Sequence, residues 1–197
     1  MNYLAHIHLS GDNDEVLIGN FIADFIRNKE VAELSKTNKT GVLLHRHIDA
    51  YTDIHPTVRK VTKIFRPTQR KYAPVVSDII FDYLLVKNWD KFSKVELKKF
   101  KKASYLRLVN NSKGLPPKAY KKVVSLCSGD FISSYESLDG ISYVFSRMDK
   151  RSKFTSNFAN AREVLVDQEK ELNKLFLEFY PQLIKQCKLF MKGYIKK

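Results

Sequence analysis

The sequence predicts an all-α protein, a compact single-domain helical bundle, on three observations. Glycine and proline are scarce, 7 and 6 in 197 residues, whereas a sandwich or barrel needs many turns and so more of both. Leucine and lysine, both good helix formers, are abundant. Apolar residues recur at helical spacing along most of the chain.

The elements follow in order. Residues 13–28, "NDEVLIGNFIADFIRN", carry Val16, Leu17, Phe21, Ile22 and Phe25 on a helical repeat, with Asp12 as the N-cap. Asn20 and Asp24 share one face of this helix. A second helix is predicted over 39–53, with Val42, Leu43, Leu44 and Ile48 as its apolar residues. His55-Pro56 ends it, because the residue before proline avoids the α region. A short helix covers 56–66. Pro74 opens the next, "PVVSDIIFDYLLVKNW", which is apolar on nearly all sides and should be central. Residues 94–112 form a basic amphipathic helix containing "KKFKK". "GLPPK" (114–118) turns into another helix, 138–149 is helical, and a long amphipathic helix runs from 159 to 179. Pro181 starts a final one. His6 and His8 are two apart in "LAHIHL", a spacing that a helix would splay, so an extended segment with one of them facing a site is expected. No repeat, low-complexity stretch or linker interrupts 1–197. The chain reads as one domain, with a site-bearing part (1–90) and a structural or partner-facing part (91–197).

Composition limits the function. Cys127 and Cys187 lie far apart with no CxxC pair, so a disulfide framework and a cysteine zinc site are not expected; two reduced thiols are. The first residues lack a basic leader, and no apolar run approaches the roughly 20 residues of a membrane helix. A soluble, cytoplasmic protein is expected. The net charge of +14 favours a polyanionic partner: nucleic acid, anionic membrane or an acidic protein. Composition does not choose among them.

The chemistry concentrates early. "HRHIDAYTD" (45–53) packs two histidines, an arginine and two aspartates into nine residues. Asn20/Asp24, His45/Asp49, Asp49/Asp53 and Asp78/Asp82 are all i,i+4 pairs, a spacing that points two side chains the same way. Helices meeting in a bundle can converge such pairs on one ion. Imidazole and carboxylate without thiolate suit manganese, iron or magnesium. The planar fork of Arg46 suits a phosphate. Asp78 and Asp82 sit in the most apolar helix, where an unpaired charge is costly and needs a reason. His47 faces away from the His45/Asp49 stripe, towards the surface or an outer layer of the site. His8 reads as a structural histidine and His55 as a helix-end residue.

"NYLAHIHLS", "GNFIADFIR", "HRHIDAYTDIHPTVR" and "FRPTQRKYAPVVSDIIFDYLLVKNW" resemble, in order and in spacing, the acyl carrier protein phosphodiesterase family. The resemblance covers residues 1–90, with "FYPQL" near the end as a further match. That family is similar to a divergent branch of the HD-type metal phosphohydrolases. The resemblance therefore implies an HD-phosphohydrolase-like helical fold and a Mn²⁺ site, with Mg²⁺ or Fe²⁺ as other candidate ions. It also implies hydrolysis of the diester that joins 4'-phosphopantetheine to holo acyl carrier protein. Carried over position by position, it implies Asp24, His45 and Asp78 as metal ligands, with Asp49 binding the metal or orienting His45. Arg46 would contact the phosphate, His6 or Asp82 would act as general acid, and Asp53 would support the helix end or the site's outer layer. This chain departs from the family pattern in having Tyr83 in place of a histidine and His47 in place of an arginine, and it contains no adjacent His-Asp.

The implied partner is a small acidic carrier protein, steered by basic residues. Lys60, Lys63, Arg66, Arg70 and Lys71 flank the predicted site, and Lys98, Lys99, Lys101 and Lys102 form a second cluster. No nucleic acid is expected, and the sequence does not give the oligomeric state. Two other readings stay open. A helical phosphohydrolase acting on a nucleotide or alarmone would show the same residues. A basic nucleic-acid-binding helical protein would explain the charge but not the Asp78/Asp82 pair, and no helix-turn-helix or finger signature is present.

Overall fold

The computed structural model describes residues 1–152 and 156–195, which are helical with no strand among them. Helix α1 (Tyr3–Leu9) replaces the expected extended segment. Its open N-terminus is held by Asp82, whose carboxylate accepts the amides of Leu4 (2.8 Å) and Ala5 (3.1 Å). On this helix His6 and His8 do splay, His6 into the interior and His8 towards Tyr180 (2.8 Å) and the carbonyl of Phe92 (3.3 Å). His8 is thus a structural histidine, as expected.

Helix α2 (Asp14–Ile22) is capped by Asn13 rather than Asp12, the Asn13 side chain accepting from the amide of Val16 (3.0 Å). It stops at Ile22, short of the predicted 28. The amide of Phe25 turns back to the carbonyl of Ile22 (2.8 Å), and its ring packs on Tyr3 and Phe21. Burying Phe25 against these two rings costs the helix its last turns. Asp24 therefore lies beyond the helix end instead of one turn above Asn20.

Helix α3 (Asn28–Ala32) leads into α4 (Lys36–Ile54), N-capped by Ser35. α4 ends where predicted, at extended His55, and the His55 ring caps α5 (Pro56–Gln69) by accepting from the amide of Thr57 (3.2 Å). A 3₁₀ turn, Arg70–Tyr72, joins α5 to α6 (Ala73–Lys87). As expected, α6 is central: Val76, Ile80, Phe81, Leu84 and Leu85 are fully buried. Then come α7 (Trp89–Phe92), α8 (Leu97–Asn110), α9 (Pro117–Ser128), a 3₁₀ turn (Phe131–Tyr135) and α10 (Leu138–Asp149). Last are α11 (Ala159–Asp167) and α12 (Glu169–Ile195).

The predicted break at Pro181 does not occur; it falls at Gln168 instead. Pro181 sits inside α12 on the exposed side. Phe176, Phe179, Tyr180 and Leu183 on either side of it are fully buried, and this packing outweighs the missing backbone bond. No described helix is long and apolar enough to cross a membrane.

The contact that builds the site is between α2 and α4. A Cβ on Gly41 would lie 2.7 Å from the amide nitrogen of Asn20 and run into the carbonyl of Val16, and one on Gly19 would run into the carbonyl of Asn38. The two backbones touch at these glycines, which brings Asn20 against His45.

Candidate metal centre

Asn20 organises the site. It is fully buried, and its side-chain amide donates to the carbonyl of His6 (3.0 Å) and to the Ser10 hydroxyl (2.9 Å). Those two bonds fix the amide's orientation, so its Oδ1 can only accept. His6 Nδ1, 2.8 Å from that oxygen, must therefore carry the proton, which leaves Nε2 as a bare lone pair. The same logic fixes His45. Its Nδ1 lies 2.9 Å from the backbone carbonyl of Asn20, a group that only accepts, so in the neutral ring its Nε2 is also bare. The two imidazoles stack with centroids 4.1 Å apart and planes 20° apart.

Both bare nitrogens face one carboxylate. His6 Nε2 is 3.2 Å from Asp49 Oδ1, and His45 Nε2 is 3.1 Å from Asp49 Oδ2. His45 Nε2 is also 3.2 Å from Asp24 Oδ1. His6 Nε2 is buried and has no hydrogen-bond partner of acceptable geometry. Lone pairs held this close to carboxylate oxygens require a proton or a cation between them. Without a metal, His45 takes the proton: burial opposes it, but the bonds to Asp24 and Asp49 raise its pKa to about 9. Burial lowers the pKa of His6 and keeps that ring neutral. Burial pushes the Asp49 carboxyl up, but the bond from protonated His45 and the nearby Met1 amine hold it well below the usual carboxylate range. The bond from His45 also lowers the pKa of Asp24.

A divalent cation fits the same arrangement. His6, His45 and Asp49 each offer one ligand atom, all within 4.8 Å of one another. Two imidazole nitrogens and a carboxylate, with no thiolate near, suit Mn²⁺, Fe²⁺ or Mg²⁺. The Asn20 contacts are the outer-layer bonds that ligating histidines normally make. Both cysteines are elsewhere and buried, with their thiol pKa values raised to about 11 (Cys127) and about 12 (Cys187) by burial.

The other predicted residues are distributed around this centre. Asp24 flanks His45 with its side chain 61% exposed. Asp78 approaches from α6, 3.1 Å from the Met1 amine, which also lies 3.5 Å from Asp49. Burial raises the pKa of Asp78. Asp82 sits behind the site rather than in it, buried on the amides of α1, with burial raising its pKa to about 7 despite those bonds. Arg46 is exposed and donates to Asn28 Oδ1 (2.8 Å). His47 turns away and stacks on Phe190 (4.5 Å). Asp53 is exposed and, with Asp78, lines a groove of about 550 Å³ that also takes Arg59, Lys63 and Arg66 from α5. Sequence reasoning missed Asn20 as the residue that fixes both rings. A lone asparagine among Val16, Leu17, Ile18, Phe21 and Ile22 was the available signal for Asn20.

The family model described as acyl carrier protein phosphodiesterase matches residues 1–183. The chain belongs to the acyl carrier protein phosphodiesterase family. Among curated relatives of that name, the protein of Enterobacter sp. (strain 638) is 29% identical over 189 residues, covering 95% of this chain and 98% of its own length. That of Serratia proteamaculans (strain 568) is 28% identical over the same shares, and that of Yersinia pestis is 28% identical over 95% of this chain and 97% of its own. No solved structure matches. Every residue of the centre, from His6 to Asp78, falls inside the span that the acyl carrier protein phosphodiesterase family model covers.

Proposed function

We propose that this chain is a divalent-metal-dependent phosphodiesterase that hydrolyses holo acyl carrier protein to apo acyl carrier protein and 4'-phosphopantetheine. The observation that carries the reading is the convergence of two bare Nε2 atoms on Asp49, in a chain matched along most of its length by that family. His6, His45 and Asp49 would hold the ion, with Asp24 and Asp78 flanking it. When bound, a divalent cation supplies Lewis acidity, neutralising phosphoryl charge and acidifying water.

The residues do the rest. Asn20 holds both imidazoles in the tautomer that presents Nε2. Asp49 is kept ionised across the neutral pH range, and Asp24 adds negative charge at the solvent side. Water adds to phosphorus and gives up a proton to solvent, the bond from phosphorus to the carrier's serine oxygen breaks, and that oxygen takes up a proton. His6 is a poor donor of it, since Nε2 carries no proton in this tautomer. Asp82 is equally unsuited, because both its oxygens accept backbone bonds. On this reading neither residue is the general acid, and solvent is the proton source we assign. Asp82 instead positions His6 by capping the helix that bears it. Manganese is the ion we assign, and the cytoplasm, where carrier proteins are substrates, is the proposed compartment.

The test is to strip the protein of metal, add Mn²⁺ and holo carrier protein, and weigh the product. Metal-dependent loss of the 4'-phosphopantetheine mass is expected, and Asp49→Ala should abolish it. Release that persists in Asp49→Ala would refute the site.

A further inference from the structure

α5 buries Val58, Val61 and Phe65 and leaves Arg59, Lys63 and Arg66 exposed. The three cations stand at i, i+4 and i+7, one stripe spanning about 10 Å at 1.5 Å rise per residue. They outnumber the two carboxylates, Asp53 and Asp78, in the groove they line, where Val58 and Pro74 add apolar surface. None of the three makes an ion pair among the described residues. On α8, Lys99 pairs with Glu96 (3.0 Å) and Lys101 with Glu136 (2.9 Å) and Asp130 (3.3 Å), whereas Lys98 and Lys102 are exposed without an ion pair among the described residues but do not line the groove. A row of uncompensated cations costs self-repulsion and has no internal use, so it points outward, to a partner's anions.

We propose that the α5 groove is the docking surface for an acidic helix of the carrier protein, with Arg59, Lys63 and Arg66 meeting its carboxylates. This rests on the carrier protein being the substrate. Two features choose a helix over a free anion. The stripe has the spacing of carboxylates at i, i+4 and i+7 on a facing helix. The groove also shares Asp78 with the centre, so a carrier seated there presents its diester next to His6 and His45. Opposite charge across such a surface acts mainly on encounter and register.

The test compares wild type with the triple variant Arg59→Glu, Lys63→Glu, Arg66→Glu and with a charge control, Lys98→Glu, Lys102→Glu, on exposed positions of α8. Purified apo carrier protein is the binding probe, since it carries no diester. The triple variant should weaken apo carrier binding roughly tenfold or more at low salt and raise KM for holo carrier by a similar factor, with kcat changed far less. The control should bind as wild type does. Unchanged affinity in the triple variant, or a fall in kcat with affinity intact, overturns the docking surface. Wild-type protein that binds apo carrier through these residues but releases no 4'-phosphopantetheine would sink the proposed reaction while leaving the surface standing.

Discussion

Asn20→Ala is the change that separates the site from its scaffold. Asn20 makes three buried hydrogen bonds, to His6 Nδ1, the His6 carbonyl and the Ser10 hydroxyl. Ser10 still donates to the His6 carbonyl (2.7 Å) after truncation, so the atom left without a partner is His6 Nδ1. One unsatisfied buried polar atom costs about 1–3 kcal/mol, and the two lost bonds add roughly another 1 kcal/mol. A stability loss of about 2–4 kcal/mol is expected. The second effect is on the ring. With no acceptor at Nδ1, the proton moves to Nε2, where Asp49 accepts it, and the ligand lone pair is lost. Mn²⁺ affinity should fall about 10–100-fold. Asn20→Asp supplies the discriminating control, because it keeps an acceptor for Nδ1–H and so keeps Mn²⁺ affinity near wild type even as the two donated bonds disappear. Calorimetric titration with Mn²⁺ and thermal unfolding measure both effects. If Asn20→Ala binds Mn²⁺ within about twofold of wild type while losing stability, Asn20 is only packing and the tautomer reasoning fails.

Other perturbations test other parts. In metal-free protein the folded pKa of His45, about 9, lies above the usual value of about 6.5. The protonated ring therefore stabilises the fold fully below about pH 6.5, and that contribution is lost as pH rises through about 9. Tm should fall across this window in wild type and stay flatter in His45→Gln; parallel curves would contradict the assignment. Mn²⁺ affinity should rise over the same window, as His45 gives up its proton to bind, and a pH-independent affinity would count against His45 as a ligand. Gly41→Ala puts a methyl group against Val16 and Asn20 and should cost about 1–3 kcal/mol by forcing α2 from α4, read as a lowered denaturant midpoint; an unchanged midpoint would show that the helices do not touch there. Asp82→Asn keeps one acceptor for the α1 amides and should lose about 1–2 kcal/mol while turning over substrate per folded molecule. Full stability with no turnover would return Asp82 to the chemistry.

The helical class and most of the elements were legible because the signals were local. Pro56 after His55 ended a helix, and the all-round apolar run "VVSDIIFDYLL" did become the central helix α6. The departures were tertiary. Phe25 left the helical repeat to bury its ring against Tyr3 and Phe21, and buried aromatics carried α12 through Pro181. At the site, i,i+4 spacing brought His45 and Asp49 onto one carboxylate-imidazole pair, and the family resemblance pointed to Asp24. The role of Asp82 was not legible, since a buried aspartate satisfied by the amides of a distant helix looks in sequence like one aimed at an ion. Nor was that of Asn20, because what it does depends on two glycines letting α2 and α4 backbones meet. His6 stood in sequence as a general acid; the tautomer that Asn20 imposes leaves its Nε2 without a proton, which is why we propose it as a ligand instead.

The most direct measurement is electron–nuclear double resonance on Mn²⁺-loaded protein, which reads the nitrogens bound to the ion. The arrangement predicts two strongly coupled ¹⁴N nuclei, one lost in His6→Gln and the other in His45→Gln. A Mn²⁺ spectrum with no ¹⁴N coupling, or one that neither substitution alters, would contradict the metal centre.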